Sequence, residues 1–238
     1  MMARAAMTVA FVLGGGALLL FAVFVIVGPF HQVQLGMTET GVLLWDAALS
    51  VLFFAQHSGM IRASFRARLT PLISADYQPA FFSIASGIAL LALVLLWQGA
   101  PRELLVLRGV AHVAARMLSL AAALILAWSV RAQKTFDPFG LAPLRARLRG
   151  GPPRATSFAT SGPYRWVRHP VYLGALLFIW SSPDVSLDRL LFSLLWTFWI
   201  WLGAWWEEKD LVDEYGNAYR EYQRKVPMLI PWRAPREG

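Results

Sequence analysis

Long apolar blocks dominate the sequence and constrain its fold more than any other feature. Each block is about 20 residues long, which is the length that an α-helix needs to cross the hydrocarbon core of a bilayer. Hydrophobic residues form 57% of the 238-residue chain and charged residues only 15%, whereas about a quarter of a soluble domain is charged. The sequence therefore predicts an integral membrane protein with the lipid bilayer as a partner. It argues against soluble, disordered, collagen-like and disulfide-stabilised classes.

The charge balance and the absence of cysteine exclude several kinds of site. Lysine and arginine number 22 against 14 acidic residues; the basic residues lie between apolar blocks, where the positive-inside rule explains them without a nucleic-acid partner. The chain has no cysteine, which excludes disulfides, thiolate zinc sites and a cysteine nucleophile. Its histidines show no i,i+4 pair, so we expect no metal site. The placement of the basic residues likewise leads us to expect no nucleic-acid partner.

The apolar pattern predicts an all-α fold, a polytopic bundle of five or six membrane helices that forms one membrane domain over residues 1–238. Four helices are expected within residues 1–130, at about 7–30, 41–55, 79–97 and 113–130. In the first of them, Gly14–Gly16 would let another helix approach closely. Residues 131–238 are expected to form a cytoplasm-facing loop, a helical hairpin and a C-terminal helix.

The predicted hairpin turns at SSPDVSLD, residues 181–188, and its arms cover about 172–180 and 190–206. Beyond the second arm, larger apolar side chains recur at helical spacing among charged residues, which predicts an amphipathic cytoplasmic helix. These side chains are Leu211, Tyr215, Tyr219, Tyr222 and Val226. The helix is either an interfacial anchor, with tyrosines at headgroup level, or a lid over a site.

The distribution of lysine and arginine between the loops predicts the orientation. Residues 31–40 contain neither, whereas the next connection carries Arg62, Arg66 and Arg68. Residues 131–170 carry eight basic residues against the single acid Asp137. The counts predict a bacterial-type inner-membrane protein with both termini in the cytoplasm, so its chemistry should face the cytosol.

Two segments near the predicted hairpin suggest a ligand site. In SGPYRWVRHPVYLG, residues 161–174, Pro170 suits the first turn of a helix, which places Arg168 and His169 at an N-terminus that favours an anion. Tyr172 lies on the same face as His169. Glu207 and Glu208 follow WLGAWW at the cytoplasmic end of the returning arm. Together the segments suit a zwitterionic ligand, or else form a juxtamembrane salt bridge that orients the hairpin.

These segments, SGPYRWVRHPVYLG and EEKDLVDEYGNAYREYQRKVPMLIP, resemble the isoprenylcysteine carboxyl methyltransferase family of membrane enzymes, which includes phospholipid-methylating relatives. The paired motif covers the last third of the chain. FFAQHSGMIRASF (53–65), FDPFGL (136–141) and the VPMLIP ending are similar to one branch, methanethiol S-methyltransferase and its NnrU-type relatives. With that branch, the similarity extends over most of the chain.

The resemblance implies an enzyme that binds S-adenosylmethionine, and releases S-adenosylhomocysteine, in a cytoplasm-facing pocket of the hairpin and C-terminal helix. The implied cofactor contacts are Tyr164, His169, Pro170, Val171, Tyr172 and Glu207, and we expect Glu208, beside them, to bind the cofactor as well. A backbone contact is implied for residues 156–159. His57, in AQHSG at the cytoplasmic end of the second helix, is a candidate base for a thiol, or a simple helix-end hydrogen bonder. Arg168 is a candidate stabiliser of the thiolate, and His169 is the alternative base.

One departure from the resemblance bears on the substrate. The isoprenylcysteine enzymes place an arginine one helical turn before the matched glutamate, where it receives the substrate carboxylate. Here that position is Gly203, within the apolar WIWLGAWW. These surroundings favour a small, apolar, neutral thiol, such as methanethiol, which would give dimethyl sulfide. The alternatives are a prenylcysteine carboxyl or phospholipid N-methyltransferase, or a non-catalytic NnrU-like membrane protein.

Overall fold

The computed structural model describes residues 1–133, 137–151 and 158–233. Its helices are α1 (Met2–Val27), α2 (Glu39–Ile61), α3 (Ala63–Leu69), α4 (Gln78–Leu96), α5 (Gly109–Ala132), α6 (Ala142–Arg149), α7 (Pro170–Trp180), α8 (Leu187–Tyr215) and α9 (Asn217–Lys225). Two short strands, β1 (Glu103–Val106) and β2 (Asp184–Ser186), pair with each other. Within these residues, α1, α2, α4, α5 and α8 are long and apolar enough to cross a membrane, and α7 is a shorter apolar helix. The prediction of a polytopic helical membrane protein is confirmed.

Local backbone conformation and capping determine where the helices begin and end. The apolar pattern of the sequence gives these boundaries only approximately. α1 ends at Val27 because Gly28 has a φ of 91° and Pro29 follows it. α2 begins after Thr38, whose hydroxyl oxygen accepts the Gly41 N–H at 3.2 Å, an N-terminal cap. α8 continues past the expected end at residue 206. The sequence analysis predicted neither β1 nor β2, since strands of three and four residues have too short a pattern to detect.

The chain divides into two compact units that interleave in sequence. One unit comprises Met1–Arg102, Asp137–Ala155 and Ser186–Phe192; the other comprises Glu103–Phe136, Thr156–Val185 and Ser193–Gly238. α8 begins in the first unit and continues in the second. The single membrane domain, and its division at residue 130, stay predictions.

In the first unit, α1 and α4 pack closely at small residues. A Cβ atom added to Gly87 of α4 would lie 2.9 Å from the carbonyl oxygen of Leu13 on α1. Facing it, a Cβ on Gly14 would lie 2.5 Å from the hydroxyl oxygen of Ser83. The close helix approach expected at Gly14 is therefore present, because neither glycine carries a side chain that would separate the backbones.

Buried side chains fix one end of the first unit. The rings of Phe24, Trp97 and Phe192 contact one another at centroid distances of 5.5 to 5.6 Å. Asp188 accepts the indole N–H of Trp97 at 3.1 Å and the backbone N–H of Ala100 at 3.0 Å. The carboxylate therefore satisfies two buried donors, which would be costly to leave unpaired away from water.

The second unit is built on α5, against which α7 packs. A Cβ on Gly174 of α7 would lie 2.9 Å from Cγ of Leu126 on α5. Near the far end of α7, the hydroxyl groups of Ser119 and Ser181 lie 2.7 Å apart. α7 is thereby held along its length, and its N-terminus has a fixed position within this unit.

The substitution Gly87→Ala tests the α1 and α4 contact. The added methyl group would meet backbone rather than a movable side chain, so we expect it to destabilise the protein by about 1–3 kcal/mol, as overpacking does. Thermal unfolding in detergent would measure the effect. Gly16→Ala is the matched control, because no atom of the described structure lies within 4 Å of a Cβ there. Equal stability of the two variants would contradict the close contact.

Candidate active site

The motif SGPYRWVRHPVYLG forms a turn and a helix start in the second unit. Gly162–Arg165 is one 3-10 turn, and α7 begins at Pro170 with His169 at its N-cap, as predicted. The backbone N–H groups of Arg168 and His169 donate to the carbonyl oxygens of Pro227 at 2.9 Å and Met228 at 3.1 Å. The segment after α9 is therefore paired with the motif.

Glu208 of α8 lies at the centre of a buried hydrogen-bond network, with its side chain 9% exposed. Its Oε1 atom interacts with the Arg168 Nε–H at 2.9 Å, His169 Nε2 at 2.7 Å and the Tyr219 hydroxyl at 2.7 Å. Its Oε2 atom accepts from Arg168 Nη2 at 2.6 Å and Gln223 Nε2 at 2.6 Å. Five hydrogen bonds to one carboxyl group favour its ionised form.

Arg168 connects Glu208 to the C-terminal end of α9. The guanidinium makes a bidentate pair with Glu208, the stronger geometry for this ion pair. Its Nη1 atom donates to the carbonyl oxygens of Gln223 at 3.1 Å and Val226 at 2.5 Å. A cation at a helix C-terminus is favourable because the last carbonyl groups have no partner within the helix.

Glu207, the neighbour of Glu208, is in a different environment. Its side chain is 44% exposed. It accepts the Tyr172 hydroxyl at 2.7 Å, and its Oε2 atom lies 3.6 Å from His169 Nδ1. The rings of His169 and Tyr172 stack at 5.3 Å with an angle of 13°. Glu207 is therefore an accessible carboxylate beside the start of α7.

The accessible charged group of this site is the carboxylate of Glu207. Arg168 and Glu208 neutralise each other inside the protein. Glu207 keeps its carboxylate at the surface of the cluster, next to a helix N-terminus that favours an anion. This distribution of charge is compatible with the zwitterionic ligand expected from the sequence, which stays a prediction.

Comparisons with known proteins place the chain in a family. The sequence profile of the family described as NnrU protein matches residues 46–224. The chain belongs to the NnrU family. Methanethiol S-methyltransferase of Pseudomonas deceptionensis is 36% identical over 194 residues, which cover 79% of this chain and 72% of that protein. Methanethiol S-methyltransferase of Mycobacterium tuberculosis is 33% identical over 186 residues, 76% of this chain and 75% of the relative.

More distant similarity links this NnrU family member to the isoprenylcysteine enzymes. Protein-S-isoprenylcysteine O-methyltransferase of Schizosaccharomyces pombe is 42% identical over 78 residues, which are 30% of this chain and 32% of that enzyme. No solved structure matches the chain. The relatives confirm both parts of the resemblance and the expectation of a membrane methyltransferase.

In this NnrU family member, most of the predicted site residues lie close together within the second unit. Hydrogen bonds connect Arg168, His169 and Glu208, and also Tyr172 and Glu207. Pro170 and Val171 form the first turn of α7. Tyr164 lies in the 3-10 turn, and its carbonyl oxygen accepts the Tyr222 hydroxyl at 2.6 Å.

Two further expectations about the site are not tested by these contacts. His57 belongs to the first unit, where its ring lies 5.4 Å from that of Phe53 and 5.0 Å from that of Phe82; its catalytic role stays a prediction. Of the predicted backbone contact at 156–159, residues 156 and 157 lie outside the described residues. The described residues contain no group of three or more acidic or histidine side chains suited to a metal ion.

Sequence reasoning did not assign Tyr219, Tyr222 and Gln223 to the site. Tyr219 and Tyr222 are buried, pack against Phe158 at 5.4 and 5.7 Å, and donate hydrogen bonds into the motif region. Their helical spacing was a usable signal, because it already allowed a lid over a site. The contacts favour that alternative over an anchor at headgroup level for these two tyrosines.

The environment of three tyrosines outside the apolar helices, Tyr164, Tyr219 and Tyr222, suppresses their ionisation. Burial, followed by the charge of Glu207, raises the pKa of Tyr164 to about 12. Burial and the hydrogen bond to Glu208 raise the pKa of Tyr219 well above its ordinary value. Burial also raises the pKa of Tyr222, although the charge of Arg168 opposes this. All three therefore keep their hydroxyl protons at neutral pH.

These raised pKa values predict a loss of stability in alkali. Tyrosine in the unfolded chain ionises near pH 10, whereas the folded groups retain their protons. Their stabilising contribution is therefore complete below about pH 10 and is lost as the pH rises towards the folded-state pKa. Thermal unfolding in detergent between pH 8 and 11.5 would show the decline. Tyr219→Phe should decline less steeply, and an unchanged slope would contradict the role of Tyr219.

Proposed function

We propose that this chain is an S-adenosylmethionine-dependent membrane enzyme that methylates a small apolar thiol of the methanethiol kind. The observation that carries the proposal is the accessible Glu207 carboxylate beside the N-terminus of α7, backed by the neutral Arg168 and Glu208 pair. The names of the relatives supply the methyl-transfer class and the suggestion of methanethiol as the acceptor.

The residues present fit S-adenosylmethionine by their chemistry. Its ammonium and sulfonium charges suit Glu207, and its carboxylate suits the N–H groups in the first turn of α7, at Val171 and Tyr172. Tyr164 and the stacked rings of His169 and Tyr172 add flat, partly polar surface to the same cluster. In this proposal Glu208 does not contact the cofactor, because its oxygens are occupied by Arg168, His169, Tyr219 and Gln223.

When bound, S-adenosylmethionine supplies a methyl group that a thiolate sulfur takes as S-adenosylhomocysteine leaves. The protein has to hold the reactants in line and exclude water. A thiol has a pKa of about 8.5 or higher, so a base assists its ionisation. We propose His57 or His169 for this role. Arg168 supports the site through Glu208 and α9, since its guanidinium is engaged with both.

The apolar thiol is favoured over a prenylcysteine carboxylate by Gly203. This residue lies one turn before Glu207 on α8, and no atom of the described structure lies within 4 Å of a Cβ placed there. The position therefore offers space but no cation for a carboxylate. We also propose the bacterial inner membrane as the location, with both termini cytoplasmic, from the arginine-rich connections.

The first test measures cofactor affinity. Glu207→Gln and His169→Ala should each weaken binding of S-adenosylmethionine by roughly tenfold or more, because a charge-assisted contact or its orientation is lost. Isothermal titration calorimetry on the purified protein in detergent would measure the dissociation constant. Glu214→Gln is the control, since it makes the same charge change at an exposed position of α8. Wild-type affinity in either site variant would contradict the assignment.

The second test identifies the acceptor. Membranes containing the protein would be incubated with methyl-labelled S-adenosylmethionine and, in separate reactions, methanethiol, a prenylcysteine analogue and phosphatidylethanolamine. We expect label only in the volatile thioether from methanethiol. Label in the prenylcysteine ester or in the lipid would favour the corresponding alternative enzyme, and binding of the cofactor without any labelled product would favour a non-catalytic family member.

A further inference from the structure

We infer that a cavity in the first unit binds a small apolar molecule with one negative charge, a thiolate or a carboxylate, and that Arg66 recognises that charge. All the residues that form this cavity lie between Met60 and Phe82. The inference concerns binding within this unit and needs no S-adenosylmethionine. It therefore does not depend on the proposed function.

The cavity lies where α2 ends, α3 follows and α4 begins. Its volume is about 170 Å³, which is close to that of an apolar cavity of about 150 Å³ that holds one benzene molecule. A molecule built on one aromatic ring would fill such a space, whereas a whole phospholipid is far larger. The apolar part of the lining consists of Met60, Ile61, Phe65, Leu69, Pro79 and Phe82.

Gln78 of α4 holds one wall of the cavity in place. Its buried side chain uses Nε2 to donate to the carbonyl oxygens of Arg66 at 3.3 Å and Ile73 at 3.2 Å. The same nitrogen lies 3.2 Å from the hydroxyl of Thr70. Since carbonyl oxygens can only accept, these contacts fix the orientation of the amide. They tie the end of α3 to the start of α4, so a ligand would not have to order this wall on binding.

Arg66 gives the cavity its charge. It is the charged member of the lining, and its guanidinium makes no hydrogen bond or ion pair with any residue that the structure describes. Asp76 is the one acidic residue in the sequence from 57 to 82, and it pairs with Arg147 at 3.0 Å. Arg66 is therefore available to an anion, and a guanidinium forms strong hydrogen bonds with ionised acceptors.

One wall of the cavity also contacts the candidate base His57. Phe82 lines the cavity, and its ring lies 5.0 Å from the ring of His57. Met60, three residues after His57, is another lining residue, and its sulfur accepts the Gln56 Nε2–H at 2.9 Å. If the ligand is a thiolate, the cavity holds the class of acceptor that the proposed function requires. A carboxylate would be a ligand separate from that reaction.

The experiment uses the full protein in nanodiscs of zwitterionic phosphatidylcholine, with ¹³C in the methionine methyl groups. The Met60 signal is assigned from its loss in Met60→Leu. Three probes built on one ring are titrated separately: 4-fluorobenzoate, 4-fluorobenzenethiolate and the neutral 4-fluorotoluene. The saturable shift of the Met60 signal gives each dissociation constant. Because the chain has no cysteine, a reductant that keeps the thiol from oxidising does not alter the protein.

We expect at least one of the two anions to bind the wild type about tenfold more tightly than 4-fluorotoluene, as a hydrogen bond to a charged group implies. Arg66→Gln should remove this preference and leave the affinity for 4-fluorotoluene unchanged. Arg68→Gln is the matched control, because it makes the same charge change on α3 at a residue outside the lining. It should keep the preference. The anion that binds more tightly identifies the ligand as a thiolate or a carboxylate.

Three results would overturn the inference: no saturable shift of the Met60 signal, equal affinities of the wild type for all three probes, or an equal loss of preference in Arg66→Gln and Arg68→Gln. A fourth is a Met60 shift caused by phosphatidylglycerol in the nanodisc that also blocks the probes, since the occupant would then be a lipid. None of these results bears on cofactor binding in the second unit. Conversely, anion binding at Arg66 in a protein that labels no thiol would sustain this inference and contradict the proposed function.

Discussion

The buried ion pair between Arg168 and Glu208 is the interaction on which the candidate site depends. It joins three parts of the chain, because Arg168 precedes α7, Glu208 lies on α8, and both bond to α9. A buried pair of this kind compensates its desolvation only when its remaining donors and acceptors are satisfied. Here the backbone carbonyls of Gln223 and Val226 and the side chains of His169, Tyr219 and Gln223 satisfy them. The network therefore requires the C-terminal helix to be in place.

The membrane explains why these groups are gathered at helix ends. Charged side chains within the hydrocarbon region are costly, and backbone groups there must be satisfied within helices. Polar chemistry consequently concentrates where α7 begins and where α8 passes from tryptophan-rich to charged sequence. The proline at the first position of α7 and the glycine with a φ of 57° between α8 and α9 mark these ends. The residues that start or end these helices therefore also position the side chains of the candidate site.

The sequence could predict the spans and bring together most residues of the candidate site, but it could not predict the hydrogen bonds between them. A stretch of about 20 apolar residues has few alternatives to a membrane helix, and Pro170 correctly marked the start of α7. The role of Tyr219 depends on a contact with Glu208, 11 residues earlier, across the break at Gly216. Spacing on a single helix cannot reveal such a contact, because the direction of α9 after the break depends on tertiary packing. The paired strands β1 and β2 were missed for a different reason, because three or four residues give too short a pattern to detect.

The adjacent residues Glu207 and Glu208 lie on one helix but in two different environments. Successive residues on an α-helix point about 100° apart, so when Glu208 faces Arg168 and α9, Glu207 must face another direction. That direction is open, with Tyr172 and His169 alongside. The buried glutamate is paired with Arg168 and contacts the histidine, while the carboxylate of the accessible one is the group that we propose for a ligand. Exchanging their environments would require a rotation of α8 that Arg168, held at the end of α9, opposes.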